Sequence, residues 1–411
     1  MASISDHDHP ERRSFHPGML ISDTRYRGLT FQFLALLAII FLVAWLGTNL
    51  VRNLAAAGLN FSYAFLDNPA NYDINQTLIE YTSRSSHLRA AIVAVINTLL
   101  VAIAGCILAT LIGVTAGVLR LSKNWLVARL MSVYVEAFRN VPVLIWILVI
   151  GALVTLSGAA PRDFLTRGGT VDPESGLFLG MFAFTNRGLY APGVVVGPGW
   201  PIVVGALILG IVGFFVWRSY VKRTLFNSGK LLPSWPAWVI LIAPVVIAQL
   251  TLGSFSLIRP DVASNNFNIQ GGTLIGKPFI ALWLALSVYT GAFIAENVRA
   301  GILSVSKGQT EAAAALGLRP RRVMNLVVLP QALRVIVPPL ISQYLNLTKN
   351  SSLAIAVGYA DITATLGGIT LNQTGRAIEC VLLLMLFYLI ISLSISAVMN
   401  VYNASVSLKE R

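Results

Sequence analysis

The chain has 411 residues, of which 56% are hydrophobic and 11% are charged, and its mean hydropathy is +0.73. Soluble domains carry about a quarter charged residues, so this composition excludes an ordinary soluble protein and indicates a membrane protein. The net charge of +13 could also serve nucleic-acid binding, but the sequence has no basic tail with interleaved aromatic residues, so we exclude a nucleic-acid partner.

Eight apolar segments follow one another along the chain, and crossing a bilayer takes about 20 apolar residues. They cover residues 28–51, 90–119, 140–161, 188–217, 231–258, 278–295, 335–357 and 380–408. An amphipathic stretch at 121–140 is predicted to lie along the cytoplasmic surface before the third span. The predicted fold is an all-α polytopic membrane protein with about eight transmembrane helices.

The charges between these spans predict the orientation of the chain. Eight spans place both termini on one side, and the connections on that side hold 20 Lys and Arg residues against 10 on the other. The acidic residues divide evenly, 8 against 9. Because positive charge accumulates in cytoplasmic loops, we expect a cytoplasmic N-terminal tail (1–28) and a cytoplasmic C-terminus.

No cofactor or metal site is predicted. Cys106 and Cys380 lie in or beside apolar spans and have neither disulfide nor zinc spacing. The segment from Gly271 to Pro278 almost matches a phosphate-binding loop, but Pro278 stands where the Mg²⁺-binding hydroxyl is required. The charge count also places this segment outside the cell. If the protein depends on ATP, we therefore expect the ATPase to be a separate chain.

The cytoplasmic connection at 300–334 has the signals of a short helix between two bends. Thr310 is a plausible N-cap and Glu311 complements the positive helix end, while the alanines that follow favour helix. Gly317 is placed to end this helix in a left-handed conformation. A second helical piece is predicted to start at Pro320 and to end at Leu329–Pro330. By itself this is an ordinary helical connection.

The spacing within this connection resembles the cytoplasmic loop of permease subunits of bacterial ABC importers. That pattern is E-A-A, three residues, G, nine residues, I-x-L-P, and here Val327 replaces the isoleucine. The resemblance implies a coupling helix that seats in a cleft of the ATPase subunit. The residues it assigns to ATPase coupling are Gln309, Glu311, Ala312, Ala313, Gly317, Leu329 and Pro330.

Neighbouring motifs resemble polar amino-acid permeases of the histidine/glutamine type over about 90–157 and 277–401. They are Glu296–Gly301, Leu329–Arg334, Pro338–Pro339 and Lys349–Leu353. The larger layout resembles the Q-type permease of general L-amino-acid importers. It implies an extra helix at 29–50 and a permease domain at 90–401 with an inserted helix pair at about 201–256.

This family resemblance also implies a setting and partners. The chain is expected to be a multi-pass permease subunit that translocates L-amino acids across the bacterial inner membrane, embedded in membrane lipid, and not itself an enzyme. The implied partners are an ABC ATPase dimer, a second homologous permease subunit and a periplasmic amino-acid-binding protein. The alternative is an ion-coupled secondary transporter, although such proteins favour several acids or broken helices at the bilayer midplane.

Polar residues at membrane depth are candidates for the translocation path, because charge there is costly. The candidates are Glu296 and the run Lys349, Asn350, Ser351 and Ser352. Simpler interpretations also stand: Glu296 could pair with Arg299, and Lys349 could reach the outer headgroups. Asn97, Thr98, Gln343 and Asn346 are interpreted as helix–helix hydrogen-bonding residues.

Overall fold

A computed structural model describes residues 23–56, 60–161, 181–262 and 269–406, together with residues 18, 21, 58, 178 and 179. Most of the predicted N-terminal tail (1–28) lies outside these residues. The chain divides into two compact units, residues 1–65 and 66–411. The first unit contains helix α1 (Thr24–Ala56), whose apolar side chains are exposed as expected for a lipid-facing helix.

The second unit is mostly helical, and its first helices overlap the predicted spans, although residues 188–191, 193–196 and 255–258 of two predicted spans form strands instead. They are α2 (His87–Leu119), α3 (Trp125–Asn140), α4 (Val143–Leu156), α5 (Trp200–Ser228), α6 (Pro236–Leu252) and α7 (Lys277–Leu303). The axes of α3 and α4 differ by 111°, so the predicted break between the amphipathic stretch and the third span is confirmed. Pro142 stands at this break and provides no N–H for a continuing helix.

The C-terminal helices are interrupted more often. They are α8 (Lys307–Ala315), α9 (Pro320–Val323), a π-helix (Met324–Val328), α10 (Leu329–Asn350), a 3₁₀-helix (Ser351–Val357), a second π-helix (Thr363–Thr370), α11 (Leu371–Thr374) and α12 (Ala377–Val406). Among the described residues, six helices are long and apolar enough to cross a membrane, or seven if α3 and α4 form one span. Helix α6, at 17 residues, is shorter.

Short strands, which the sequence analysis did not predict, connect the segments outside the helices. They are β1 (Ala183–Phe184), β2 (Gly188–Ala191), β3 (Gly193–Val196), β4 (Phe255–Ile258), β5 (Asp261–Val262), β6 (Ile269–Gln270) and β7 (Thr273–Gly276). They form antiparallel sheets in the orders β1-β2-β7, β3-β4 and β5-β6. These strands are two to four residues long, too short for a periodic sequence pattern, and two of the four described strand pairs, β2-β7 and β3-β4, join distant parts of the chain.

Helix α7 is the centre of the core and packs against α2, α3, α4 and α10. Its contact with α2 depends on small residues. A Cβ at Gly113 would lie 2.5 Å from Ile294 Cβ, and a Cβ at Gly117 would lie 2.6 Å from the Ala295 carbonyl oxygen. Glycines four residues apart let two helices approach closely in a membrane, which the sequence analysis overlooked.

Candidate functional site

Helix α8 begins four residues earlier than predicted. It starts at Lys307 with Ser306 as N-cap, so Thr310 as N-cap was wrong. The Thr310 hydroxyl instead donates to the Lys307 carbonyl at 2.7 Å, and Glu311 lies in the second turn. The reason is that Ser306 adopts an extended backbone conformation immediately after the turn that ends α7, which stops one helix and starts the next.

The predicted end of α8 is confirmed. Gly317 has a φ of 76°, in the left-handed region that glycine adopts without a Cβ penalty. Its N–H donates to the Ala314 carbonyl at 2.9 Å, and the Leu318 N–H donates to the Ala313 carbonyl at 3.3 Å. These two bonds are the Schellman pattern, which satisfies the last carbonyl groups of a helix and turns the chain sharply.

The predicted end of the following piece at Leu329–Pro330 was wrong. Proline removes a backbone donor and crowds the carbonyl four residues before it. The π-helix at Met324–Val328 changes the bonding to five residues, and the Leu329 N–H bonds the Met324 carbonyl. This wider turn accommodates Pro330, so the helix continues through α10 instead of stopping.

The connection has a small hydrophobic core of its own. Ala313, Val323 and Val328 are buried together, and Ile302 and Val305 from the end of α7 pack against them. Ala313 is only 5% exposed, whereas Leu316 is 82% exposed. The face of α8 turned away from this core consists of exposed residues at helical spacing: Glu311, Ala312, Ala315 and Leu316. We call these four residues the α8 docking face.

The remaining predicted coupling residues occupy different environments. Gln309 is exposed on α8, and Leu329 and Pro330 are exposed at the start of α10. Among the predicted coupling residues, Ala313 is the buried one, and its side chain lies in the small core between α8 and the end of α7. The small core therefore connects α8 with the residues at the end of α7.

Glu296 lies near the end of α7 that leads to α8 and is surrounded by arginines from three positions. Arg299 Nη2 donates to Glu296 Oε1 at 2.6 Å, and Arg139 Nη1 lies 3.7 Å from Oε2. Arg120, which follows α2, donates to Oε2 as well. The Glu296 side chain is 22% exposed. It therefore connects the ends of α2, α3 and α7 electrostatically.

The run from Lys349 to Ser352 lies where α10 becomes a 3₁₀-helix, and its side chains do not share one environment. Lys349 is exposed, Asn350 and Ser352 are half-buried, and Ser351 is buried. The Ser351 hydroxyl donates to the Thr348 carbonyl at 2.7 Å. At this change of helix type the regular α-helical hydrogen bonding ends. Inside a membrane, the backbone N–H and C=O groups there need other hydrogen-bond partners.

The non-helical backbone that follows is held by α2. The Asn97 amide donates to the Ala360 carbonyl at 3.0 Å, and the Ile362 N–H donates to the Thr98 hydroxyl at 3.0 Å. Asn97 and Thr98 were interpreted as helix–helix hydrogen-bonding residues, but these partners are in the break between two helices. Asn97 Oδ1 is buried and has no hydrogen-bond partner among the described residues.

Asp361 is a buried carboxylate in this break that the sequence analysis did not single out. Its Oδ1 accepts a bond from the Ala364 N–H at 2.8 Å, and the Tyr388 hydroxyl on α12 lies 3.5 Å from Oδ2. The available signal was an acid three residues after Gly358, followed by Gly367–Gly368, in an apolar region. Interrupted helices of this kind form substrate sites in other transporters.

The segment Gly271–Pro278, which almost matches a phosphate-binding loop, contains a lysine with a structural role. Lys277 Nζ donates to the carbonyl oxygens of Thr155 and Ser157 at 2.7 and 2.6 Å. Those carbonyls end α4, and a lysine is a favourable partner for the negative end of a helix. The Lys277 ammonium thus joins α4 to the start of α7.

Known proteins resemble this chain over most or all of its length. A family model described as "Binding-protein-dependent transport system inner membrane component" matches residues 109–408. The glutamate/glutamine/aspartate/asparagine transport system permease protein BztB of Rhodobacter capsulatus is 50% identical over 100% of both chains. The general L-amino acid transport system permease protein AapQ of Rhizobium johnstonii is 42% identical over 95% of this chain and 94% of its own.

A third relative is the putative amino-acid ABC transporter permease protein YhdX of Escherichia coli K12, which is 41% identical over 97% of this chain and 99% of its own. The family model and the three full-length relatives agree with the multi-helix membrane architecture described above. The chain belongs to the family of inner-membrane components of binding-protein-dependent transport systems, in which it is a transport subunit and not an enzyme.

Proposed function

We propose that this chain is the permease subunit of an ABC importer for polar L-amino acids, and that the α8 docking face transmits ATP-driven motion to the membrane helices. The observation that carries this proposal is a short helix whose docking face exposes two alanines, a leucine and one glutamate and which is packed by Ala313 against the end of α7. Amino acids are supported as substrates by the names of all three relatives, and polar ones by the name of the Rhodobacter capsulatus relative.

Membership of this family implies an ATPase partner. The proposed complex contains an ATPase dimer, a second homologous permease and an external amino-acid-binding protein. An exposed leucine beside small alanines suits a groove on the ATPase, since an apolar side chain gains about 25 cal/mol per Å² that it buries. Closure of the ATPase dimer would move α8, and α7 would follow because it shares the small core with α8.

The proposed translocation path runs beside the break between α10 and α12. The run Lys349–Ser352, the buried Asp361 and the unpartnered Asn97 Oδ1 lie in or against this interrupted backbone. An amino acid carries an ammonium and a carboxylate, which need compensating charges and dipoles inside the membrane. Glu296 has a different place in the proposal: its arginine partners fix the helix ends next to the coupling loop.

The test is the substitution Gly317→Asp in the complete transporter, reconstituted in proteoliposomes with its ATPase, second permease and binding protein. A Cβ at Gly317 meets no atom within 4 Å, and aspartate tolerates the left-handed conformation better than most residues, so the helix end should persist. A carboxylate beside the α8 docking face would obstruct the ATPase groove. We expect at least a tenfold loss of ATP-dependent uptake of labelled glutamate.

Gly253→Asp is the matched control. Gly253 also ends a helix with a positive φ, 55°, and has no atom within 4 Å of a Cβ, but it lies at the end of α6. Uptake by this variant should remain within twofold of the unsubstituted transporter. Normal uptake by Gly317→Asp would contradict the role of the loop. Uptake driven by an ion gradient without any ATPase would instead support the secondary-transporter alternative.

A further inference from the structure

Helices α5 and α6 form an antiparallel pair in which one helix is much longer than the other. They contain 29 and 17 residues, or about 43 and 26 Å at 1.5 Å per residue. Their external ends are level, because the Gly197 N–H between β3 and α5 bonds the Ser254 carbonyl between α6 and β4 at 2.7 Å. The difference in length is therefore at the opposite end.

Contacts along the pair show where α5 leaves its partner. A Cβ at Gly210 would lie 2.8 Å from the Leu241 carbonyl oxygen, and the rings of Phe214 and Trp238 are 5.0 Å apart. The last such contact is a bond of 3.4 Å from the Trp217 indole to the Pro233 carbonyl. About three turns of α5 therefore extend beyond the start of α6.

This projecting end is basic. It carries Arg218, Lys222 and Arg223, and Lys230 follows in the turn to α6. All four side chains are exposed, and none forms a salt bridge with another residue in the described part of the chain. No acidic residue occurs between Glu174 and Asp261, so nothing in this stretch of sequence neutralises them. We call these four residues the α5–α6 basic patch.

Large apolar side chains accompany the patch. Phe226 is 85% exposed, Leu231 is 86% exposed and Trp235 is 65% exposed. Exposed tryptophan and phenylalanine beside lysine and arginine are typical of a segment at the boundary between headgroups and acyl chains. A surface of this kind fits lipid, in which apolar side chains enter the acyl region while cations remain among the headgroups.

We propose that the α5–α6 basic patch binds the headgroups of anionic phospholipids in the leaflet that faces the cytoplasm. The charge count places the turn between α5 and α6 on the cytoplasmic face. Anionic lipid in that leaflet raises the affinity for a basic surface by about fivefold for each Lys or Arg residue. The inserted helix pair thereby has a role separate from ATPase coupling: it anchors this side of the permease to anionic lipid.

The test measures binding of phosphatidylglycerol and phosphatidylcholine to the purified full-length chain by native mass spectrometry in a zwitterionic detergent. We expect the chain to retain phosphatidylglycerol at least tenfold more tightly, with affinity falling as salt rises. The variant R218Q/K222Q/R223Q/K230Q should lose at least tenfold of this affinity. A charge-conserving variant, R218K/K222R/R223K/K230R, should keep it within threefold.

The matched control is K307Q/R319Q/R321Q/R322Q, which removes the same charge from four exposed residues of the coupling loop and should keep its lipid affinity. Unchanged thermal unfolding in detergent verifies that each variant is folded. Equal losses in both neutralised variants, or none in either, would overturn the proposal. So would equal binding of the two lipids. If the patch variant no longer co-purifies with the ATPase but keeps its affinity for phosphatidylglycerol, the patch is a protein-docking surface and the proposal is wrong.

Discussion

Glu296 shows how one side chain can hold three helix ends. Its carboxylate is close to the guanidinium groups of Arg120, Arg139 and Arg299, so its loss leaves these three cations with only the exposed Glu136 as a nearby anion among the residues that the structure describes. For Glu296→Gln we expect the free energy of unfolding to fall by about 2 kcal/mol, a value typical of hydrogen bonds to charged groups and below that of a fully buried pair. Thermal unfolding of the purified protein in detergent measures this.

Glu136→Gln is the control within the same cluster. The Glu136 side chain is 59% exposed and lies 4.0 Å from Arg120, so its ion pair is screened by water. Exposed pairs contribute about 0–1 kcal/mol, and the expected change is correspondingly small. Equal destabilisation by the two substitutions would show that Glu296 is not the centre of the cluster.

Lys277 gives a second prediction at this scale. Lys277→Met removes both hydrogen bonds that the buried Lys277 ammonium donates to the carbonyl oxygens at the end of α4. A hydrogen bond to a charged group contributes about 1.5–3 kcal/mol, so we expect a clearly lower unfolding temperature. ATP should not change the unfolding temperature of the unsubstituted chain, because this lysine is engaged by protein.

Lys123→Met provides the comparison, since Lys123 is exposed in the turn before α3. It should leave the unfolding temperature within about 1 °C of the original, as surface substitutions usually change stability by less than 0.5 kcal/mol. A stabilising shift with ATP in the unsubstituted chain would revive the phosphate-loop interpretation of Gly271–Pro278.

At the scale of elements, the contact between α2 and α7 depends on the absence of side chains. A Cβ at Gly113 would lie 2.5 Å from Ile294 Cβ and 2.9 Å from the Gly291 carbonyl oxygen. Gly113→Ala must therefore separate the two helices, and overpacking of this kind costs about 1–3 kcal/mol. We expect a lower unfolding temperature and loss of transport.

Gly205→Ala tests whether the destabilisation arises from the close contact between α2 and α7 or from replacing any helical glycine by alanine. Gly205 is also inside an apolar helix, α5, but a Cβ there has no atom within 4 Å. Alanine has a higher helix propensity than glycine by about 1 kcal/mol, so this substitution should be neutral or stabilising. Destabilisation by both substitutions would contradict close packing as the reason.

Particular elements show how far local sequence signals reach. Gly317 ends α8 as predicted, because a left-handed helix end is decided by one residue and its immediate neighbours. Pro330 was predicted to stop a helix and does not, since the π-helix before it changes the bonding pattern. The sequence contains no local signal for a π-helix that is as strong as the signal of Pro330 for a helix end. The continuation of the helix through Pro330 therefore could not be predicted.

At the scale of the whole molecule, the distribution of charge predicts an orientation that chemistry can test. In a C106A/C380A background, single cysteines at Ser228 and Asn186 place exposed thiols at opposite predicted faces. A membrane-impermeant maleimide should label Asn186→Cys in right-side-out vesicles, and Ser228→Cys only in inverted vesicles. The reverse pattern would contradict the predicted cytoplasmic position of the termini and of the coupling loop.

The sequence by itself determined the membrane class, the approximate positions of the apolar helices and the family. Composition, apolar length and the spacing from Glu311 to Pro330 are local properties, so they can be recognised without knowing what packs against what. The family followed from that spacing, and the family model and full-length relatives agree with it.

The tertiary structure alone decided which residues cooperate. Ala313 joins α8 to α7, Glu296 gathers three arginines, and Asn97 and Thr98 hold a break that is more than 260 residues away in the chain. The sheets likewise pair strands that α5 and α6 separate in the chain. Such contacts depend on long-range packing. The local sequence is compatible with many different pairs of contacting residues, so the actual partners are determined only when the helices assemble.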